Sequence, residues 1–129
     1  GLRERAKFAV PPLEAARLLG CTTNEVQANR LKAAQQLAER FQCVVVLKGS
    51  GTVIAAPDHL PSINPTGNAQ LATAGTGDVL AGMVGAYLAA GTCAVHAARE
   101  AVYAHGHAAD HWPKGQALTA SALARALER

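Results

Sequence analysis

The chain has 129 residues, half of them apolar and 16% charged, with a formal net charge of +3; that suits one compact globular domain and excludes a disordered chain. Its basic residues are scattered, only Arg3, Arg5 and Lys7 cluster, and 4% of residues are aromatic, so neither a nucleic-acid footprint nor a base-stacking platform is expected. No apolar run reaches membrane-spanning length without glycine, histidine or charge, and no signal peptide is visible, so no membrane partner is expected either.

In chain order, Phe8-Ala9-Val10 reads as a strand end. Pro11 and Pro12 then fit a strand-to-helix turn, with Leu13–Leu19 as a short helix and Gly20 as its C-terminal cap. Thr22 or Thr23 can cap a next helix with Glu25 in its first turn. Val26, Leu31, Ala34, Leu37, Ala38 and Phe41 keep helical spacing, which predicts one helix running to about Phe41. Cys43–Leu47 is β-branched and continuously apolar, the mark of an interior, parallel strand buried on both faces. Lys48-Gly49-Ser50-Gly51 turns the chain into a second strand, Thr52–Ala56, and Pro57-Asp58-His59 turns it again. Leu60–Ile63 reads as a short third strand. The segment 64–76, rich in Gly, Asn and Thr, reads as a functional loop. Helices follow at about Asp78–Ala90, Ala94–Asp110 and Thr119–Leu127, punctuated by Gly91, Pro113 and Gly115. A buried strand followed by helices implies an α/β layer, and three or four short strands make a small sheet for so much helix.

Gly75-Thr76-Gly77-Asp78 is the most informative stretch. Glycines beside a helix start let backbone N–H groups approach a ligand, and the helix dipole favours an anion such as phosphate. The Asp78 carboxylate would be repelled by that phosphate. It makes sense as a base that takes a proton from, or orients, an attacking hydroxyl. The blander alternative is a helix capped by Thr76 or Asp78, with glycines for packing. The stretch is neither a Walker loop, since no Gly-Lys-Ser/Thr follows, nor a dinucleotide fingerprint, since Leu80 stands where a third glycine belongs. Lys48-Gly49-Ser50-Gly51-Thr52 leaves a buried strand end, where ligands of α/β sheets bind, and can present N–H groups and the Lys48 charge to a phosphate. A tight hairpin with positive-φ glycines is the even alternative.

The runs Leu47–Ile54, Asn64-Pro65-Thr66-Gly67-Asn68 and Ala72–Gly82, with Pro12–Gly20 and Tyr103-Ala104-His105-Gly106, resemble the ADP/ATP-dependent NAD(P)H-hydrate dehydratases of the ribokinase-like superfamily. The resemblance runs from about Phe8 to the end. It implies the C-terminal half of a ribokinase-like three-layer α/β/α domain, a small sheet flanked by helices, with residues 1–129 as one partial nucleotide-binding domain. It implies ADP or ATP as co-substrate with Mg²⁺, phosphorylation of the ring hydroxyl of hydrated NADH or NADPH, and loss of phosphate to restore the cofactor. Carried over, Asp78 is the base and contacts the substrate with Asn68. Gly75, Thr76 and Gly77 form the anion hole, and Lys48, Gly49, Ser50, Gly51, Thr52 and Gly77 line the nucleotide site.

Two departures stand out. Pro11 occupies the place where the family carries a histidine that helps hold the hydrated cofactor. Glu14 is retained; its acidic counterpart in the superfamily influences metal or phosphate, while its plain reading is a first-turn carboxylate favoured by the helix dipole. The chain also opens on Gly1 without Met, which reads as a piece of a longer protein, and a homo-oligomer is expected of so small a sheet. Two rivals remain: a superfamily kinase acting on a vitamin precursor or sugar, and a truncated, non-catalytic nucleotide-binding module.

Other residues are less telling. His105, His107, His111 and Asp110 crowd one helix, and His107 and His111 could bind a metal, although a third ligand is not assured. Gly82, Gly85 and Gly91 are expected to allow close packing or end the helix, Met83, Tyr87 and Leu88 to join the core, and Trp112 to bury against the sheet edge. Cys21, Cys43 and Cys93, odd in number and without a secretory signal, read as reduced core thiols in a cytoplasmic protein.

Overall fold

The computed structural model describes residues 6–49, 51–72 and 75–127; Arg3, Arg5 and Ser50 lie outside them. The elements in order are strand β1 (Ala6–Val10), helices α1 (Pro12–Leu19), α2 (Thr23–Ala28) and α3 (Arg30–Phe41), strands β2 (Val44–Leu47), β3 (Val53–Ala55) and β4 (Ser62–Ile63), a 3₁₀ turn (Ala69–Ala72), and helices α4 (Thr76–Ala89), α5 (Ala94–Asp110) and α6 (Ala120–Leu127). The four strands form one sheet in the order β1-β2-β3-β4. β1 and β2 are parallel because a helical crossover joins them. β2 and β3 are antiparallel because only a tight turn separates them, and β4 continues antiparallel on β3.

The interior position of β2 explains its unbroken apolar sequence, for all four of its residues are buried. Successive side chains of a strand point to opposite faces. Val45 and Leu47 accordingly pack with Ala15, Ala16, Val26, Ala34 and Leu37 on the α1–α3 side. Val44 and Val46 pack with Leu80, Val84, Ala98 and Val102 on the α4–α5 side. Two cores on one sheet make three layers, α/β/α.

The helix ends follow their local chemistry. Pro11 and Pro12 open α1, and Gly20 closes it at φ 70°, a left-handed conformation that glycine adopts without cost. Thr22 and Glu25 form a capping box on α2. The single helix expected through Phe41 is in fact two. Asn29 leaves helical geometry at φ −148°, and its side chain accepts from the Lys32 N–H, starting α3 afresh. The side-chain cap offers Asn29 an alternative to helix continuation, and it swings Arg30 toward the end of β2.

Three further expectations are corrected. Gly82 and Gly85 meet nothing within 4 Å of an added Cβ, so they sit on an open helix face rather than at a close contact. Trp112 packs against the small cluster of Ala109, Leu118 and Leu123 rather than the sheet edge, because the turn after Pro113 brings α6 back onto α5. Cys93 is exposed as the N-cap residue of α5, whereas Cys43 is buried and Cys21 half-buried; none of the three is in a disulfide. Met83, Tyr87 and Leu88 do pack against the second core. Among the described residues no helix is long and apolar enough to cross a membrane.

Candidate active site

A cleft of about 990 Å³ opens at the carboxyl end of β2, lined by Lys48, Gly49, Gly51 and Thr52 on one side, Asn64 to Ala69 on another, and Gly75 to Asp78 on a third. Its size is in the range that holds a small-molecule ligand.

The third wall is the start of α4. Gly75 is the N-cap residue, at φ 89°, and being glycine it caps the helix with no side chain of its own. Neither Thr76 nor Asp78 is a cap, contrary to the blander expectation, because both lie inside the first turn. The Thr76 hydroxyl instead donates to the Leu71 carbonyl at 2.5 Å. A helix start capped by glycine lets its backbone N–H groups approach an anion. A Cβ on Gly75 would lie 2.9 Å from the Ala120 methyl, so glycine is needed there for packing as well as for φ. The Lys48 ammonium reaches across from the end of β2, and a Cβ on Gly77 would meet it at 3.2 Å. Asp78 is exposed on the cleft rim.

The loop wall is held from beneath by α5. The Thr66 hydroxyl donates to the Tyr103 carbonyl at 3.0 Å and accepts from buried Asn64 Nδ2 at 2.9 Å. Asp110 receives the Gly67 N–H on Oδ2 and Asn68 Nδ2 on Oδ1, both at 3.0 Å. Between them the loop backbone lies on Gly106, where any Cβ would run into Thr66 and Gly67. His105, on the adjoining face, is buried and places Nε2 at 2.9 Å from the Thr76 carbonyl. A carbonyl only accepts, so Nε2 carries the proton. Burial holds the His105 imidazole below its ordinary pKa, and the nearby Lys48 charge pushes the same way against the Thr76 bond. The ring is therefore a neutral strut.

The cleft thus gathers Lys48, Gly49, Gly51, Thr52, Asn68, Gly75, Thr76, Gly77 and Asp78, all named from sequence. Glu14 is not brought to it; it is exposed in the first turn of α1. The metal reading of the α5 histidines is also not supported, since the described residues contain no group of three His, Cys, Asp or Glu side chains fit for a metal. His107 and His111 stack on one another with centroids 4.1 Å apart, and Asp110 is engaged by the loop. Sequence reasoning missed Arg30 and the structural work of Asp110 and His105. The His105-Gly106 pair was visible as part of a motif, but carbonyl partners leave no mark in a sequence.

Comparison with known proteins shows the family and the fold. Residues 11–129 match the family described as NAD(P)H-hydrate dehydratase. The chain is 46% identical over 113 residues to the ADP-dependent (S)-NAD(P)H-hydrate dehydratase of Neisseria meningitidis, covering 88% of this chain and 38% of that protein. It is 50% identical over 100 residues to the bifunctional NAD(P)H-hydrate repair enzyme Nnr of Escherichia coli, covering 77% and 19%. The crystal structure of the Bacillus subtilis ADP/ATP-dependent NAD(P)H-hydrate dehydratase, co-crystallised with ATP and Mg²⁺, superposes with a TM-score of 0.83 at 38% identity, covering 95% of this chain and 48% of that one. A ribokinase-like superfamily protein from Enterococcus faecalis superposes at 0.75 with 29% identity, covering 93% of this chain and 41% of that one. The chain therefore spans about half the length of these solved structures and less of the curated relatives. Its α/β fragment is ribokinase-like, and the chain belongs to the NAD(P)H-hydrate dehydratase family.

Proposed function

We propose that this chain supplies the phosphoryl-transfer half of an ADP/ATP-dependent NAD(P)H-hydrate dehydratase, which returns hydrated NADH or NADPH to working cofactor. The observation that carries the reading is the convergence of a glycine-flanked helix start, the Lys48 ammonium and the exposed Asp78 carboxylate on one cleft. The relatives named above support it, and one of them was crystallised with ATP and Mg²⁺.

In this reading the nucleotide supplies the phosphoryl group to be transferred. Gly75, Thr76 and Gly77 form the anion hole for its oxygens, and Lys48 adds a compact positive charge. Gly49, Ser50, Gly51 and Thr52 hold the rest of the nucleotide, and Asn68 borders the substrate. Asp78 accepts the proton of the ring hydroxyl as that oxygen bonds to phosphorus and the bond from phosphorus to the nucleotide breaks. Phosphate then leaves with the ring carbon–oxygen electrons, and loss of a ring proton restores the double bond. Mg²⁺ would be carried by the nucleotide's phosphates and would neutralise charge there, and Glu14, exposed in the first turn of α1, would influence it only through water or phosphate. The protein acts in the cytoplasm, with reduced thiols, as a homo-oligomer.

The test is an assay with hydrated NADH and ADP or ATP on a domain in which this half stands complete with its other half. Recovery of the NADH absorbance with release of phosphate is the expected result. Nucleotide consumption with phosphate retained on the product would assign a small-molecule kinase instead.

A further inference from the structure

Arg30 is the first residue of α3, and its guanidinium reaches the turn between β2 and β3. Nη1 donates to Gln27 Oε1 at 2.7 Å and to the Lys48 carbonyl at 3.4 Å. Nη2 donates to the Leu47 and Gly51 carbonyls, both at 3.2 Å. The guanidinium thus makes four hydrogen bonds, two to carbonyls of the turn and one to the last carbonyl of β2. The planar fork suits this; a lysine, with three donors on a single point, cannot reproduce it. The acceptors are all neutral, so the charge of Arg30 stands behind the cleft undiminished.

The consequence lies on the other side of the turn. In a trans peptide the carbonyl and the N–H point in opposite directions. Pinning the Lys48 carbonyl to Arg30 therefore aims the Gly49 N–H away from Arg30, and pinning the Gly51 carbonyl does the same for the Thr52 N–H. The Thr52 hydroxyl donates to the Gly49 carbonyl at 3.1 Å, closing the turn. Gly49, Gly51 and Thr52 all border the cleft. Backbone N–H groups aimed the same way can meet an anion together. Gly49 is matched to this clamp: it sits at φ 148°, and a Cβ there would stand 2.7 Å from Arg30 Nη1.

We propose that Arg30 is a positioning residue for the nucleotide site, holding the Leu47, Lys48 and Gly51 carbonyls so that the Gly49 and Thr52 N–H groups and the Lys48 side chain meet the nucleotide's phosphates. This rests on the nucleotide reading above.

The test is calorimetric titration of ADP into the native chain, Arg30→Lys, and Gly49→Ala, with melting curves to place every titration below unfolding. The native chain binds ADP, and Arg30→Lys weakens binding about tenfold or more, the equivalent of one lost hydrogen bond. Gly49→Ala, which displaces the fork from an exposed turn, weakens binding likewise. Millimolar methylguanidinium restores part of the affinity to Arg30→Ala and leaves the native chain unchanged, which a role in folding alone does not predict. A folded Arg30→Lys or Gly49→Ala chain that binds ADP within twofold of native overturns the role of Arg30 while leaving the nucleotide site standing. A native chain that does not bind ADP overturns both.

Discussion

His105 donates from Nε2 to the Thr76 carbonyl at 2.9 Å, tying the middle of α5 to the first turn of α4. The helix that holds the cleft's loop wall thereby also holds its anion-binding wall.

The burial of His105 makes stability depend on pH. The folded-state pKa of His105 is lowered by burial, so the unfolded chain takes up a proton that the folded chain resists. The stability this contributes is complete above the ordinary histidine pKa of about 6.5 and is lost as pH falls from there through the lowered folded value. Urea midpoints should drop between pH 7.5 and pH 5.5, and His105→Gln should flatten that drop. An unchanged native pH profile in the variant would show that another group is responsible.

Gly106 and the pair Gly82 and Gly85 should respond in opposite directions to alanine. Gly106→Ala drives a methyl into Thr66 and Gly67 and should cost about 1–3 kcal/mol, the range for overpacking. Gly82→Ala and Gly85→Ala meet open space and should each add roughly 0.5–1 kcal/mol by restraining the unfolded chain. Thermal melts of the three single variants decide this by sign.

Asp110→Ala removes both carboxylate contacts to the loop, at Gly67 and Asn68. Because the pair is exposed, the cost to global stability should be small, about 1 kcal/mol. The local effect should be larger: amide exchange at Gly67 should speed up while the α5 amides stay protected. Equal exchange at Gly67 in both proteins would mean the loop is held by Thr66 and Gly106 alone.

β1 stands at the edge of the sheet, and an open edge strand is a template for pairing. The isolated chain should therefore self-associate, with a sedimentation coefficient that rises with concentration. A monomer throughout the millimolar range would contradict this.

Much of this arrangement was legible in the sequence, and the part that was not has a common cause. Val44–Leu47 announced itself because a strand covered on both faces must be apolar at every position. Gly20 and Thr22 marked helix ends because caps are read by local side-chain chemistry. The cleft residues were found where glycines, a lysine and an aspartate made sense together. The break at Asn29 was hidden because Leu31 and Phe41 continued a helical spacing although both are exposed. The roles of Arg30 and His105 escaped because the contacts that tie them to the cleft are to main-chain carbonyls, present at every position. Gly82 and Gly85 misled because a glycine on a bare helix face and one at a close contact look alike in sequence.

The central claim is that the first turn of α4 and the turn after β2 together receive an adenine nucleotide's phosphates. An amide-resolved NMR titration of the chain with ADP and Mg²⁺ tests it most directly. The expected result is saturable shifts at Gly49, Gly51, Thr52, Gly75, Gly77 and Asp78, with Asp78→Asn binding about as well as the native chain. Shifts confined to other surfaces, or none at millimolar ADP, would contradict it.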